Sequence, residues 1–409
     1  MVREQHSILR WGGVALFIHF VSLPLGHMAA LRSASLLGVL VAAALAWSRL
    51  PPRRPGPMAA LFAVWLALAL ASVAWSVEPA YTLEAALTDV PRSALLFWAG
   101  HTLARGGLSW RIAAWAGTVF LLICAPLAAL APRNSMGIWE AGWLPASGDY
   151  ATAALIFLPV VGAALCIRGR QAGERLFLLA GLAAGFYGGY LCASRIFWLV
   201  LLVIVTVAAG YGLSRPGVWR RYGLPVMAGL AAMIVVVLAL AGLAARQRDL
   251  PLLHTADRVR LYSGVVEKLE QGPALGVGYG KETHAAWYLQ TFPDLPEVRH
   301  PHNIVLSFAD QLGWPGLLLL AALFGVPAWR LVSQGGGGDQ KILVATGLAL
   351  LAGVFVKNST DLFFYKQHLW LLFGLLGLWL GTLERGAGAL SVSALRPASP
   401  RRSVPGRRP

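Results

Sequence analysis

The side chains best suited to chemistry stand at the end of a long polar stretch, in the run His300-Pro301-His302-Asn303. Pro301 restricts the backbone just before His302, and Asn303 is of a type that caps helices, so the sequence predicts an imidazole held at a helix start. A neutral imidazole is a suitable general base for a hydroxyl nucleophile near neutral pH. A histidine at a membrane surface can also be merely interfacial, but the flanking residues favour a catalytic His302.

Three arginines are candidates for binding an anion. Asp257 is a predicted N-cap, which would place Arg258 and Arg260 in a first helical turn, where guanidinium and free backbone N–H groups bind phosphate. Two positions correspond to roughly 200° around a helix, so both side chains cannot point at one phosphate from a regular helix interior. Either one arginine is structural, or the helix starts between them, or both are solvated loop charges. Arg195 lies between two apolar runs with little loop to solvate it, and such a charge usually faces a cavity or a partner.

Motifs for other chemistries are absent from the sequence. The histidines of the polar stretch have no HExxH spacing and no DxD motif is present, so no metal site is predicted. The run from Gly276 to Gly280 (GVGYG) lacks the spacing and the strand of a dinucleotide fingerprint, and a tight turn with close backbone approach is the better interpretation. Cys124, Cys166 and Cys192 have no CxxC spacing and are predicted to be core residues.

The composition indicates which class of protein positions these groups. Of 409 residues, 57% are hydrophobic and 13% charged, and the mean hydropathy is +0.64. The net charge of +16 would suit nucleic acid, but the arginines stand in short connections between apolar runs rather than on one amphipathic face. The sequence therefore predicts an all-α polytopic membrane protein with membrane lipids, and no nucleic acid, as partners.

Apolar runs of about 20 residues, punctuated by Pro, Gly and Arg, predict about 12 transmembrane helices. The predicted spans are Trp11–Leu23, Ala29–Trp47, Met58–Trp75, Ser93–Leu103, Ile112–Ala131, Ala151–Ile167, Leu176–Ala193, Ile196–Leu213, Leu224–Ala244, Ile304–Trp329, Ile342–Val356 and Leu362–Leu383. They divide the chain into helices 1–9 (residues 1–244), a long polar segment with short helices (245–303), helices 10–12 (304–383) and a disordered basic tail (384–409). The first run is predicted to be retained, because a second span follows at once.

The distribution of positive charge predicts the orientation. With the N-terminus in the cytoplasm, that side holds 21 of the 34 Lys plus Arg, the short connections of the other side hold six, and residues 245–300 hold seven. This asymmetry follows the positive-inside rule, so both termini are predicted to be cytoplasmic and the long segment periplasmic.

Within the long polar segment, a helix is predicted from Asp257 to Gly272. Its apolar stripe is predicted to consist of Val259, Tyr262, Val266 and Leu269.

Three motifs follow one another between residues 194 and 316. They are Ser194-Arg195 opening a span, Arg258-x-x-x-Tyr262 followed by Gly-Pro-Ala-Leu-Gly-Val-Gly-Tyr-Gly, and His302-Asn303-x-x-Leu306 followed by Asp310, Leu312 and Gly313. This succession resembles the signature of the O-antigen ligase and polymerase superfamily, which is also found in bacterial O-oligosaccharyltransferases. The surrounding hydropathy extends the similarity to nearly the whole chain.

The resemblance implies a GT-C-like glycosyltransferase of the bacterial inner membrane. Such a ligase transfers a glycan from undecaprenyl diphosphate to a sugar hydroxyl of the lipid A–core oligosaccharide, with inversion and without metal or other cofactor, on the periplasmic side. By position, Arg195 and Arg258 would bind the diphosphate, with Arg260 a less well matched third, and His302 would assist the acceptor hydroxyl. The residues predicted to support the site are Asn303, Tyr262, Lys281 and Asp361; Tyr262 stands where the family more often has tryptophan.

Other activities stay open. A polymerase of the same superfamily would join O-units to one another, and a protein O-oligosaccharyltransferase tends to be longer, with a soluble domain after the last span. The size of the chain and the position of its single long segment favour a ligase. A lipid or glycan transporter would be expected to show paired broken or charged spans in two halves, and the sequence has no such internal repeat.

Overall fold

Helices form nearly all of the described structure. The computed structural model describes residues 2–51, 56–133, 139, 144–167, 171–214, 216–247, 256–295, 298–334 and 338–394. Within them the chain forms fourteen α-helices and one 3₁₀ helix, Ser72–Trp75, with a single isolated β-type bridge, Arg133–Trp139. The α-helices are α1 (Val2–Ser22), α2 (Ala29–Trp47), α3 (Pro57–Ala71), α4 (Pro79–Gly106), α5 (Arg111–Leu130), α6 (Ser147–Cys166), α7 (Ala172–Leu191), α8 (Arg195–Leu213), α9 (Pro216–Gln247), α10 (Ala256–Gln271), α11 (Ala285–Thr291), α12 (Ile304–Ser333), α13 (Asp339–Asn358) and α14 (Lys366–Ala394).

Seven helical segments of the described chain are long and apolar enough to cross a membrane. They are α2, α3 with the 3₁₀ helix, α5, α6, α8, α12 and α13. The other predicted spans overlap α1, α4, α7, α9 and α14, and α4 shows why they are less apolar, since it carries Glu84, Asp89 and Arg92. The predicted all-α polytopic membrane protein is confirmed. The number of twelve crossings and the GT-C-like arrangement stay predictions.

The helix α14 packs at the centre of the bundle against α4. Every residue from Leu369 to Gly381 is buried, as expected of a helix that is apolar all round. Glycines allow the close approach: a Cβ at Gly377 would lie 2.2 Å from the Phe97 carbonyl oxygen, and one at Gly381 would lie 2.4 Å from that of His101.

The bounds of α14 differ from the predicted last span at both ends. The helix begins at Lys366 rather than Leu362, because the backbone N–H groups of Leu362 and Phe363 bind the side chains of Asp361 and Asn358 instead of continuing a helix. It then continues to Ala394, so the tail predicted to be disordered from residue 384 is helical over its first part. Ion pairs of Glu384 hold this extension to the neighbouring helices. Residues 395–409 lie outside the described residues.

Candidate active site

Asn303 joins the start of α12 to the end of α13. Its Oδ1 accepts hydrogen bonds from the backbone N–H groups of Val305 (2.9 Å) and Leu306 (3.2 Å), which confirms the predicted N-cap. Its Nδ2 donates to the carbonyl oxygen of Ser359 at 2.9 Å. One side chain therefore brings together two connections that are 56 residues apart in the sequence.

His302 and Asp361 form a hydrogen-bonded pair at this junction. The Nδ1 atom of His302 lies 2.9 Å from Oδ1 of Asp361, and 29% of each side chain is exposed. The backbone of His302 is left-handed, with φ of +52°, and its N–H donates to Nδ1 of His300 at 3.1 Å. A non-glycine residue adopts this backbone conformation only when its surroundings support it. The contact with Asp361 then fixes the orientation of the ring. The carboxylate fixes Nδ1 and leaves Nε2 for another partner.

A buried lysine supports Asp361 from the other side. The ammonium of Lys357 lies 3.6 Å from Oδ2 of Asp361, and only 3% of the lysine side chain is exposed. Burial raises the pKa of Asp361, but the hydrogen bond from His302 and the charge of Lys357 outweigh it and hold the pKa below its usual value. Asp361 is therefore a carboxylate at neutral pH. Sequence reasoning assigned no role to Lys357; the signal was its i,i+4 spacing to Asp361 at the end of an apolar run.

The neighbouring His300 is kept neutral. Its ring centroid is 4.0 Å from that of His302, and 5% of the residue is exposed. Burial lowers the pKa of His300 to about 2, and the neighbouring His302 and Lys281 act in the same direction. A neutral ring can accept the His302 N–H, which a protonated ring cannot do through the same nitrogen.

Two residues of α10 reach the same junction. Arg258 donates a hydrogen bond to the carbonyl oxygen of Thr360, one residue before Asp361, and the hydroxyl of Tyr262 donates to the carbonyl oxygen of His302 at 3.3 Å. Their i,i+4 spacing places both on one face of the helix. Arg258 therefore lies beside the His302–Asp361 pair.

Arg260 is directed elsewhere. Its guanidinium forms two hydrogen bonds with Asp294, at 2.5 and 3.0 Å, and about half of each side chain is exposed. Of the two arginines that the sequence could not separate, the structure places Arg258 at the junction with His302 and Arg260 in a surface ion pair.

The buried face of α10 differs from the predicted stripe. Leu261 and Val265 are buried against Tyr288 and Phe292 in a small second core, with Tyr262 and Leu269 at its edge. Val259 and Val266, which were assigned to the stripe, are 62% and 44% exposed. That assignment is wrong, because the residues of α11 and of the following turn, rather than the periodicity of α10 alone, decide which face is covered.

A buried polar cluster fastens α10 and α11 to α12. The ammonium of Lys268 binds both Oδ1 of Asp310 and Nδ1 of His284, and the hydroxyl of Tyr288 donates to Oδ2 of Asp310 at 3.0 Å. Asp310 and Tyr288 are 4% and 1% exposed. Moving α10 away from α12 would separate these partners and leave a buried charge uncompensated, which is costly. The cluster therefore fixes the position of α10 relative to α12.

The glycine-rich turn closes a break in α12. Gly313 interrupts the helix with φ of +60° and ψ of −146°, which frees the carbonyl oxygens of Asp310 and Gln311. The N–H groups of Val277 and Gly278 donate to them, both at 2.9 Å. The predicted tight turn with close backbone approach is confirmed, since the turn residues Gly276, Gly278 and Gly280 all have positive φ.

Lys281 follows this turn and faces the charged groups of the junction. Its ammonium lies 4.0 Å from the centroid of the Tyr365 ring, a cation–π contact. Burial lowers the pKa of Lys281, while the charges of Asp361, Glu282 and Asp149 oppose the shift. The lysine is therefore close enough to Asp361 for the two charges to interact.

Arg195 opens α8 at the same end of the bundle. A Cβ at Gly353 would lie 2.5 Å from the side chain of Ile204, so α8 packs on α13. Cys192, three residues before Arg195, and Arg258 both lie near the buried ammonium of Lys357. The start of α8 thus lies beside the end of α13, where Asp361 and Thr360 hold His302 and Arg258.

In the described residues, no group of three or more His, Cys, Asp or Glu side chains is arranged to hold a metal ion.

Residues 178–321, about a third of the chain, match a family described as O-antigen ligase. In this segment the chain is similar to the O-antigen ligase superfamily. No curated protein matches it significantly.

The matched segment runs from α7 into α12. It contains Arg195, Arg258 and His302, so the resemblance deduced from the motifs is confirmed for the part of the chain that carries them. Lys357 and Asp361 lie beyond it, and only the fold brings them to His302. The match supports a glycosyltransferase-like function of ligase or polymerase type at a membrane.

Proposed function

We propose that the chain is an O-antigen ligase that transfers a glycan from undecaprenyl diphosphate to a sugar hydroxyl of a lipid A–core oligosaccharide, on the periplasmic face of the inner membrane. The observation that carries the proposal is the His302–Asp361 pair, with Nδ1 2.9 Å from Oδ1, and Arg258 bound one residue away at Thr360. A base and a cation therefore lie together where the start of α12 meets the end of α13, and the proposed reaction has two needs that they match. These are removal of a hydroxyl proton and neutralisation of a leaving diphosphate.

The proposed step is a single displacement. The acceptor oxygen bonds to the anomeric carbon while the bond from that carbon to the diphosphate oxygen breaks, and the electron pair leaves with undecaprenyl diphosphate. Nε2 of His302 takes the proton of the hydroxyl. One displacement inverts the configuration at the anomeric carbon, in keeping with the family expectation.

The arginines serve the leaving group in this proposal. Negative charge grows on the diphosphate as the glycosidic bond breaks, so fixed guanidinium groups bind the transition state more strongly than the ground state. Arg258 and Arg195 are the two assigned to this role, because both lie at the end of the bundle that carries His302. Arg260 is not assigned, since Asp294 already occupies its paired donors.

The test is transfer by the purified protein in the presence of EDTA, with undecaprenyl-diphosphate-linked glycan and rough lipopolysaccharide as substrates. A ligase yields capped lipopolysaccharide, whereas longer polyprenyl-linked chains without capping would indicate a polymerase. His302→Ala is expected to lower turnover by about 10²- to 10⁴-fold at unchanged thermal stability. Full activity in that variant would refute the base assignment.

A matched pair of variants tests the arginine assignment. Arg258→Gln is expected to weaken transfer by about 10²-fold or more, because it removes a cation from the leaving group. Arg260→Gln carries the same change on the same helix and is expected to stay within about twofold, because an exposed ion pair contributes little. If Arg260→Gln weakened transfer more than Arg258→Gln, the diphosphate would have to lie on the other side of α10.

A further inference from the structure

Lys281 and Tyr365 meet close to the pair of His302 and Asp361. The ammonium of Lys281 lies 4.0 Å from the centroid of the Tyr365 ring, and both side chains are half-buried. Tyr365 stands four residues after Asp361, in the connection between α13 and α14. Among the residues that the structure describes, the ring is the only direct partner of this ammonium, so its N–H donors are left for a ligand or for water.

Asp149 in the first turn of α6 reaches the same connection. A Cβ at Gly148 would lie 2.5 Å from the ring of Phe363, so the start of α6 packs on the connection. Oδ1 of Asp149 is buried 3.8 Å from Nε2 of His368, which donates instead to the backbone carbonyl oxygen of Asp149 at 3.1 Å. Since 25% of the Asp149 side chain is nevertheless exposed, Oδ2 is the oxygen that a ligand can reach. No lysine or arginine of the described chain pairs with this carboxylate.

Lys281 and Asp149 are neighbours that do not touch. The carboxylate lies near enough for its charge to act on the ammonium, yet the two groups are too far apart to form an ion pair. A hydroxyl group placed between them accepts a hydrogen bond from the ammonium and donates one to the carboxylate. An ionised phosphate has no hydrogen to donate, and it would bring a second negative charge to the carboxylate. The two side chains therefore suit a sugar hydroxyl better than a diphosphate.

The position of Arg258 indicates which sugar lies there. Arg258, which is assigned to the leaving diphosphate, binds Thr360 at one end of the connection, whereas Lys281 contacts Tyr365 at the other end. In a displacement with inversion, the attacking hydroxyl and the leaving oxygen lie on opposite sides of the anomeric carbon. The acceptor therefore belongs on the side of Asp361 that carries Lys281.

We propose that Lys281 and Asp149 bind hydroxyl groups of the acceptor sugar and so present a neighbouring hydroxyl to Nε2 of His302. The inference rests on the proposed transfer reaction and adds to it the subsite of the acceptor. The ligand class is a neutral, hydroxyl-rich saccharide. Because the Tyr365 ring already holds the Lys281 ammonium, little side-chain freedom is lost when the sugar binds.

The kinetic test varies each substrate in turn while the other is saturating, with the full chain, rough lipopolysaccharide and undecaprenyl-diphosphate-linked glycan. Lys281→Met is expected to raise the KM for the acceptor by about 10- to 100-fold, the loss of one charge-assisted hydrogen bond, and to leave the KM for the donor within about twofold. Lys341→Met, the same change near the opposite end of α13, should alter neither. A rise in the donor KM alone would assign Lys281 to the diphosphate and overturn the proposal.

A binding measurement separates this proposal from the proposed function. The probe is the core oligosaccharide of rough lipopolysaccharide, freed of lipid and dephosphorylated, and its contact with the full chain in nanodiscs is followed by saturation-transfer NMR. Wild type and Lys341→Met should bind it, and inorganic pyrophosphate should not displace it. If the wild type bound the oligosaccharide but transferred no glycan to lipopolysaccharide, the proposed function would fail and the subsite would stand. Absence of binding to the wild type, or displacement by pyrophosphate, would overturn the subsite.

Two variants locate the oligosaccharide. Lys281→Met is expected to lower the affinity for it by about tenfold or more, in parallel with the rise in the acceptor KM. If Lys281→Met fails to fold, as judged by thermal unfolding, Asp149→Asn decides, because the amide keeps the shape of the carboxylate and loses its charge. Asp149→Asn is also expected to weaken binding by about tenfold. Undiminished affinity for the oligosaccharide in a folded variant at either position would overturn the assignment.

Discussion

His302 has its ring and its backbone fixed by different parts of the chain. Asp361 binds Nδ1, Tyr262 donates to the carbonyl oxygen, and His300 accepts from the backbone N–H. These contacts sustain a left-handed backbone that would otherwise be unfavourable for histidine. In the proposed reaction these contacts hold the His302 ring in the orientation that presents Nε2 to the acceptor hydroxyl, so the ring does not have to reorganise.

Replacing Asp361 with Asn should lower turnover by about 10²-fold, because the amide keeps the shape but loses the charge that holds the His302 tautomer. Steady-state kinetics should show the loss in kcat more than in the KM of either substrate. The variant also leaves the Lys357 ammonium buried without its carboxylate, which destabilises the fold. The double variant Lys357→Met/Asp361→Asn should recover thermal stability without recovering kcat. Recovery of both would mean that Asp361 acts only on stability.

His300 should make the protein sensitive to acid. Its pKa is lowered in the folded state, so below about pH 6.5 the unfolded chain takes up a proton that the folded chain does not. The stability contributed by the neutral ring is present above that pH and is lost as the pH falls, by about 1.4 kcal/mol per pH unit at most. His300→Asn keeps an acceptor for the His302 N–H, and its melting temperature should fall less between pH 7 and pH 5 than that of the wild type. Parallel melting curves for the two proteins would contradict this origin.

At the scale of elements, the break in α12 is a joint between the spanning helices and the polar segment. The carbonyl oxygens freed at Gly313 accept from Val277 and Gly278, and the N–H of Trp314 donates to the carbonyl oxygen of Ala274 at 3.2 Å. Helical bonds lost at the break are thus replaced by bonds to the turn. The turn follows α10 directly, so the break also determines where Arg258 and Tyr262 lie.

A methyl group at the break should be costly. A Cβ at Gly313 would lie 1.8 Å from the carbonyl oxygen of Ala274, and the backbone conformation there is open almost only to glycine. Gly313→Ala should therefore destabilise the protein by about 3 kcal/mol, measured by thermal unfolding in detergent. Gly325→Ala, in the same helix with open space at its Cβ, should be neutral or slightly stabilising. Equal melting temperatures for the two variants would exclude the joint as a source of stability.

The sequence predicted correctly those features of the site that depend only on residues close together in the chain. Asn303 was predicted to cap α12, and the glycine-rich run was predicted to be a tight turn, because both depend on neighbouring residues. The face of α10 was predicted wrongly, since α11 and Phe292 determine which side is covered. The pair of His302 with Asp361 spans 59 residues, and only the packing of α12 on α13 brings the two together. Lys357 could not be assigned for the same reason.

At the scale of the whole molecule, charge and chemistry are sorted to the two ends of the bundle. The end with His302 combines the ends of α8 and α13 with the polar segment from α10 to α12. The other end holds the carboxylate of Glu384, which pairs with Arg330 in the last turn of α12. The proposed ligase needs the first end to face the periplasm, where both substrates are presented, and the distribution of Lys and Arg predicts that orientation.

Cysteine labelling tests the orientation of the two ends. Gln290 on α11 and Arg175 on α7 are both exposed and lie at opposite ends of the bundle, so each can be replaced with Cys as the control of the other. The exposed native thiol, Cys166, is first replaced with Ser, while Cys124 and Cys192 are buried. In intact spheroplasts a membrane-impermeant maleimide should label Gln290→Cys, whereas Arg175→Cys should react only after permeabilisation. The opposite pattern would place His302 on the cytoplasmic face, where the positive-inside rule predicts the arginine-rich connections instead, and would contradict the proposed reaction together with the topology.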